Sequence, residues 1–511
     1  MSSMRIEVTV LLFASAVVGC RREGERSIPT MPPTQDTLPA PPAAAPPAQA
    51  PTAEALPIEA ASGQSIALVY SSNLRGQYEP WGRPAHALGG LARRAALVAA
   101  IEKEAQTVLQ VDAGDLLLPP AGQLVYLDED PAERERRAGL VLAAYARLGV
   151  QAVVPGETDL ALGARRLVAL ASQTGVPFLC ANLVDAEGKP LLPASRAFDL
   201  GGVSAGVFGL LVAPPADLPR LRRDSVRLTD PAEAGRAASA SLRAAGATIV
   251  IGLFHLEGGV AQARALATAI GGIDVVVLGH GGTTTETLSL TSGGTTRIVE
   301  AGVDGKHLGR LDLGTAHNQL YRIDSSRGES RAVATMVAKH TRERRQRTAD
   351  GRLAAVDPRF ANLDYPQPRS KGGKPQPPLR ESWTYGSTAA CAGCHAEETA
   401  QWKETAHAFG LETLKSRKRD RDPDCLPCHT TAFLRPGGTH SLATALQYFP
   451  EVGCESCHGP SVAHMRAPAK KTGTQRATPE PICRDCHPRE ATSDFDYARD
   501  VRATLGPGHG I

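Results

Sequence analysis

Aromatic residues are scarce in these 511 residues: 3 Trp, 9 Tyr and 10 Phe make up 4% of the chain. So few rings cannot build a stacking surface for nucleic acid, and no basic stripe interleaves with them. Strong charge of either sign is missing as well. A formal charge of +3 and a pI near 8.3 leave no electrostatic footprint for a polyanion, so no nucleic-acid partner is expected. Two short basic runs, Lys415 to Arg419 and Arg342 to Arg347, read as solvated helix faces. Cysteine is almost absent before residue 391, where only Cys20 and Cys180 of the ten occur. The apolar run from Val8 to Val18 is too short to stay behind as a spanning helix.

What is present is strongly partitioned. Residues 1–20 read as a targeting signal, with Arg5, the apolar run and then Gly19-Cys20. Residues 21–62 are rich in Pro and Ala with almost no large apolar side chains, which predicts a disordered tether, because burial cannot offset its ordering entropy. From Ile66 to Leu313, short β-rich runs alternate with helical ones. Strands are expected at Ile66–Tyr70, Thr107–Val111, Gln151–Val154, Val203–Leu211, Thr248–Ile251 and Asp274–Leu278. Helices are expected at Leu91–Glu104, Glu133–Leu148, Ala164–Thr174, Pro231–Ala244 and Gly259–Ala269. Such alternation means an α/β domain with its sheet buried between helices, here spanning 63–320. A basic helix from Glu329 to Thr348 and a Pro/Gly-rich linker fill 321–382. Residues 383–511 form a last, mainly α and loop-rich domain. Cys180 closes an apolar run and reads as a buried, inert thiol.

The last domain holds the other eight cysteines, in four copies of Cys-x-x-Cys-His. The first is Cys391, Cys394 and His395, the second Cys425, Cys428 and His429, the third Cys454, Cys457 and His458, and the fourth Cys483, Cys486 and His487. Two thiols at this spacing can form thioethers to the vinyl groups of one haem, and the adjoining His reaches the iron. Zinc knuckles would not call for a His after every second Cys. Disulfides within each motif would leave the histidines unexplained. Four covalently attached c-type haems are therefore expected, supplying much of the domain's apolar interior. Four more histidines, His407, His440, His464 and His509, are the distal-ligand candidates.

Resemblances sharpen both halves. The Val17-Val18-Gly19-Cys20 sequence resembles a bacterial lipobox, which implies lipidation at Cys20. Arg21 next to it lacks the Asp that often marks inner-membrane retention. That implies a lipoprotein in the envelope of a Gram-negative-type bacterium, on the outer membrane and facing the periplasm. Cleavage to a soluble periplasmic protein is the alternative.

The segment Tyr70-Ser-Ser-Asn73-Leu-Arg75-Gly76, with Gly89-Gly90-Leu91-Ala92-Arg93, Asp112-Ala-Gly-Asp115, Gly156-Glu157-Thr158-Asp159, His255 and Gly279-His280-Gly281-Gly282-Thr283, resembles the metallophosphoesterase domain of periplasmic 5'-nucleotidases. The resemblance implies an α/β/β/α sandwich with two metals at the strand ends. At the positions of one metal this chain has Asn73, Arg75, Asp115 and Gly282, so that site is expected to be lost, with Arg75 pairing to Asp115 in its place. At the other it has Asp115, Glu157, His255 and His280, which are competent ligands for Zn, Mn or Fe. A vestigial, metal-free cluster is the alternative. The family's catalytic His is Thr158 here and its Asp partner falls at Ala161, so ordinary nucleotidase activity is not expected.

The last domain is similar to the multihaem cytochromes of the tetrahaem electron acceptor of hydroxylamine oxidoreductase. The likeness is carried by the motif at Cys391 with Trp402 to His407, by Cys425 to Thr431, by Val452 to Pro460 with His464, and by Phe495 to His509. It implies distal roles for His407, His464 and His509 and leaves His440 unplaced, so one haem is either open or capped by His440. The reading is an electron-transfer lipoprotein that meets a redox partner protein. The alternatives are a redox enzyme for a small nitrogen or sulfur compound and a metal-dependent phosphoester hydrolase.

Overall fold

The computed structural model describes residues 65–82, 87–120, 130–213, 221, 224–282, 284, 289–290, 296–349, 384–435, 437–439, 441–468, 479–487 and 495–505. Cys20, the 21–62 tether, the whole 351–382 linker stretch, His440 and His509 lie outside them.

Period-2 alternation builds the first half. In β1 (Ile66–Ser71), Ile66, Leu68 and Tyr70 face one core while Ala67 and Val69 face another. In β8 (Ile249–Leu256), Ile249, Ile251 and Leu253 join the first of these, and Val250, Phe254 and Leu256 face a third. Both strands are fully buried, so both faces must be covered.

The remaining strands are β2 (Thr107–Asp112), β3 (Ala152–Val153), β4 (Leu183–Asp185), β5 (Ser195–Asp199), β6 (Ser204–Val212), β7 (Val226–Leu228), β9 (Val275–Gly279), β10 (Ser289–Leu290), β11 (Arg297–Glu300), β12 (His307–Asp312) and β13 (Asn318–Arg322). One sheet runs β13-β12-β1-β2-β3, the other β10-β11-β9-β8-β6-β5, and β4 pairs with β7. The strands β1, β2 and β3 are parallel, as are β6, β8, β9 and β11, while β12, β13, β5 and β10 add antiparallel edges.

Helices α1 (Leu91–Glu104), α2 (Pro131–Leu148) and α3 (Ala164–Thr174) cover the first sheet. Helices α4 (Pro231–Ala244) and α5 (Gly259–Ile270) cover the second. The result is the α/β/β/α sandwich. Both α2 and α4 begin with Asp-Pro-x-Glu: Asp130 accepts from Glu133 N at 3.0 Å and Asp230 from Glu233 N at 2.7 Å, while the proline sits where no N–H is needed.

All five helices expected in the sandwich, and most of its strands, fall within two residues of where the periodicity puts them. The strand expected at Thr248–Ile251 instead runs on to Leu256, because Gly252 continues the strand against the Phe254 ring where a Cβ would not fit.

The basic helix α6 (Arg331–Ala349) packs on α1 and α2, with Val333 and Val337 in the same core. Arg342 is exposed, as the sequence reading has it, but Arg344 and Arg347 on the same helix turn to buried acids instead. Arg344 is 0% exposed and binds Asp422, also 0% exposed, at 2.6 Å, and it also binds Asp424. Arg347 holds Glu133 at 3.0 Å. In the other basic run, Arg419 binds Asp422 and Glu79, each at 2.7 Å. Apart from the local Arg419–Asp422 pair, the acids that face these arginines are far away in sequence, where a local charge count cannot register them.

The haem-motif region consists of short helices, among them Thr388–Cys391, Leu426–His429, Cys454–His458 and Glu480–Cys486, around two small apolar clusters. Among the described residues, no helix is long and apolar enough to cross a membrane.

Candidate metal centre and haem motifs

Parallel strands deliver polar residues to one rim. Asp115 follows β2, Glu157 follows β3, His255 sits near the end of β8 and His280 follows β9. One ligand atom from each of the four lies within 4.8 Å of every other. Burial is deep: Asp115 and His255 are buried, Glu157 and His280 half-buried.

The rim is conformationally strained. Asn73 (φ 51°), Arg75 (φ 55°), Asp115 (φ 51°) and His280 (φ 75°) all adopt the left-handed backbone that non-glycine residues avoid. A Cβ at Gly156 would overlap the Asp115 carboxylate, and one at Gly279 would overlap Ala113 and crowd the His255 ring. Only glycine lets these loops close around the cluster.

The His255 Nδ1–H donates to Ala113 O at 2.7 Å, which directs Nε2 to Glu157 Oε2 at 2.8 Å and Asp115 Oδ1 at 3.5 Å. Nδ1 of His280 meets Glu157 Oε1 at 2.8 Å. Glu157 therefore lies between two imidazoles. Although burial opposes it, hydrogen bonds from His255 and His280 hold its carboxyl well below the usual range. Burial disfavours the His255 cation too, but Asp115 and Glu157 outweigh burial and raise it to about 9. Burial pushes the Asp115 carboxyl up, with Glu157 adding to the effect and His255 opposing it.

The cluster thus offers two imidazoles and two carboxylates. That donor set, with one imidazole already oriented by a carbonyl, fits a divalent Zn, Mn or Fe ion.

The expected Arg75–Asp115 side-chain pair is not formed. Asp115 Oδ1 instead accepts from Thr158 N at 3.1 Å and Thr158 Oγ1 at 2.8 Å. Arg75 meets Asp115 through its backbone, N–H to carbonyl at 2.7 Å, and its buried Nε has no partner among the described residues. Thr158 reaches the carboxylate first.

Sequence reasoning assigned no role to two residues that build the pocket. The amide of Asn73 donates to Gly281 O at 2.6 Å and Gly302 O at 3.2 Å, and its Oδ1 accepts from His280 N at 2.7 Å. Asn73 thereby fixes the loop that carries His280. The buried Asp159 accepts from Gly156 N at 2.8 Å and Leu117 N at 2.7 Å, and burial with nearby Asp115 pushes its carboxyl up to about 7. An acid in a Gly-x-x-Asp turn is the signal that would have marked it.

In the other region, the motif histidines meet imidazoles from elsewhere in the chain. The rings of His395 and His464 have centres 6.3 Å apart, and those of His407 and His487 are 6.1 Å apart. Two imidazoles on opposite sides of one metal, each bonded at about 2.0–2.1 Å, put their ring centres roughly 6 Å apart. Both pairs fit that span.

The His429 Nδ1–H donates to Gly410 O at 3.0 Å, leaving Nε2 for iron. Phe495 stacks on the His487 ring at 4.7 Å. The Cys391 thiol contacts Cys454, and Cys428 contacts Cys486, so the motifs are brought together in two couples. No disulfide takes any of the eight motif thiols. Cys394 is exposed, and the other seven are half-buried. Cys394 directly follows Gly393, in a turn with open space around it. Cys457 lies inside the short helix Cys454–His458, whose packing covers it in part. Within that same motif, buried Glu455 accepts from Gly386 N at 2.9 Å and Ser461 N at 2.8 Å, tying the start of the domain to the turn before His464.

Comparison with known proteins matches each half separately. Residues 390–459 match the family described as Cytochrome c554 and c-prime. Cytochrome c-554 of Nitrosomonas europaea is 33% identical over 98 residues, which are 16% of this chain and 41% of that protein. The chain thus spans less than half of that relative. The sandwich is similar in fold to a Thermus thermophilus sulfate thiohydrolase, SoxB (20% identity, TM-score 0.48, 56% of this chain and 61% of that one). It is also similar to a 5'-nucleotidase precursor from Thermus thermophilus (21%, TM-score 0.45, 55% and 59%). A third likeness is to the calcineurin-like phosphoesterase YfkN of Bacillus subtilis (17%, TM-score 0.44, 55% and 97%). Residues 390–459 thus form a cytochrome c-type segment, which implies covalently bound haem, and the α/β/β/α sandwich precedes them.

Proposed function

We propose that this chain is an electron carrier with four covalent c-type haems, built onto a 5'-nucleotidase-like sandwich that serves as a docking or single-metal module. The observation that carries the reading is the facing of His395 with His464 and of His407 with His487. Haem iron between two imidazoles exchanges single electrons without changing its ligands.

The chain's own residues supply attachment at the eight motif cysteines, proximal nitrogen at His395, His429, His458 and His487, and a fixed tautomer where Gly410 holds His429. His509 and His440 remain the candidates for the other distal positions. Lipidation at Cys20, an outer-membrane location facing the periplasm and a redox partner protein complete the proposal, on the strength of the N-terminal sequence alone.

Electron paramagnetic resonance of the haem-loaded protein tests it. Low-spin ferric signals are expected for the two facing pairs, and His464→Ala and His407→Ala should each convert one haem to high spin. Neither change appearing would refute the pairing. A haem mass increment below four porphyrins over the mature polypeptide would refute the count.

A second reading is that His440 caps no haem, which leaves one iron open. That iron would bind a small nitrogen or sulfur compound, and a high-spin signal in the unmutated protein that is lost on adding nitrite would favour it. Phosphoester hydrolysis has the least support: Thr158 is spent on Asp115, and Ala161 cannot titrate.

A further inference from the structure

The loop Asn73–Gly76 braces two of the four donors of the cluster. Its backbone runs alongside the Asp115 turn through three bonds: Asn73 N to Gly114 O at 2.8 Å, Arg75 N to Asp115 O at 2.7 Å and Gly76 N to Leu116 O at 2.9 Å. Its Asn73 side chain holds His280 N at 2.7 Å and Gly281 O at 2.6 Å. Any movement of this loop therefore moves Asp115 and His280 relative to Glu157 and His255.

The far end of the loop is not anchored within the sandwich alone. The Gly76 carbonyl accepts from Arg137 Nη1 at 3.1 Å, and a Cβ at Gly76 would overlap the Leu117 carbonyl and crowd the arginine stem. Arg137 is 1% exposed, and its Nη2 grips Asp424 across both carboxylate oxygens, at 3.0 and 2.8 Å. Asp424 is the residue before Cys425, the first thiol of the second motif. One guanidinium thus spans from the brace of the cluster to the doorstep of a haem attachment site, over 287 positions of sequence. Its fork is rigid and planar, so the two contacts cannot shift independently.

The geometry points to Arg137 as a positioning residue that couples cation binding at Asp115, Glu157, His255 and His280 to the second haem motif. The inference rests on the metal reading of the cluster and deepens it. Coupling between two sites is reciprocal, so loosening the Asp424 end weakens cation binding at the far end.

The test uses zinc as the probe, titrated by calorimetry into the full-length, haem-loaded, metal-stripped protein. Asp424→Asn keeps the shape and removes the charge that holds Nη2, and Arg137→Lys keeps the charge and removes the fork. Each is expected to raise the zinc Kd about five-fold or more, within the usual range of coupling between sites. Arg345→Gln is the control. It touches the same segment through Asp422 at 3.7 Å without reaching the loop, and it should stay within about two-fold, below that range.

Kd values for Asp424→Asn and Arg137→Lys that match the unmutated protein, or an equal rise in Arg345→Gln, would overturn the coupling while leaving the metal site standing. An unmutated protein that binds no zinc would overturn the metal reading itself. Loss of haem from both variants would show a folding element instead of a coupling, and would overturn the proposal too.

Discussion

Replacing Arg344 with Met should loosen the haem domain from the sandwich. The guanidinium is fully buried, with Asp422 at 2.6 Å and Asp424 on its other nitrogen. Removing one partner of a buried pair leaves the other charge uncompensated, at a cost of about 3–5 kcal/mol. Asp422 would keep Arg419 at 2.7 Å, and Asp424 would keep Arg137 at 2.8 Å. The low end, about 3 kcal/mol, is therefore expected. In urea, where slopes run about 1–3 kcal/mol per molar, that moves the midpoint down by about 1 M or more.

The assay is a urea titration of the full-length, haem-loaded protein followed by Soret absorbance and far-ultraviolet circular dichroism together. In Arg344→Met, the Soret transition should move ahead of the loss of sheet signal. The double variant with Asp422→Asn should cost less than the two single changes summed, by about 1–3 kcal/mol, because the two groups interact directly. A Soret midpoint within about 0.3 M of the unmutated protein would refute the buried-pair reasoning, being far below the shift a pair of this kind requires.

Other outcomes follow from the same contacts. Burial and the cations Arg344, Arg137 and Arg347 depress His340 to about 3, so below its unfolded pKa of about 6.5 the unfolded chain takes up a proton that the folded one refuses. Stability should therefore fall with pH from about 6.5 downward, by up to about 1.4 kcal/mol per pH unit, and His340→Gln should flatten that stretch of the urea-midpoint profile. Phosphate monoesters and diesters should show no turnover above background with zinc or manganese added. Turnover lost on His255→Ala would instead reinstate the hydrolase reading. Asn73→Ala frees the loop that carries His280 and should weaken zinc binding without altering haem content, as read by calorimetry and the Soret band.

Some features of this protein are local in origin. The four Cys-x-x-Cys-His motifs need only their own spacing to specify covalent haem, because both thiols and the imidazole lie within five residues. The alternation of Ile66 to Tyr70 and the 3.6-residue period of Leu91 to Glu104 gave away the strand and the helix, because side-chain direction follows from backbone repeat. The candidate cluster was visible because Asp115, Glu157, His255 and His280 each stand at or near a strand exit.

What the tertiary structure decided is who stands opposite whom. Arg344 looked solvated because its own run carries no mark of Asp422 or Asp424, and Arg419 because its run carries none of Glu79. Arg75 looked like the partner of Asp115 until Thr158 proved closer. The facing of His395 with His464 and of His407 with His487 likewise depends on how short helices fold back on one another. Repeat and spacing are properties of neighbouring residues, and a chain can carry them in its letters. A buried charge or a second axial imidazole is settled by whichever distant residue the packed backbone brings within bonding reach.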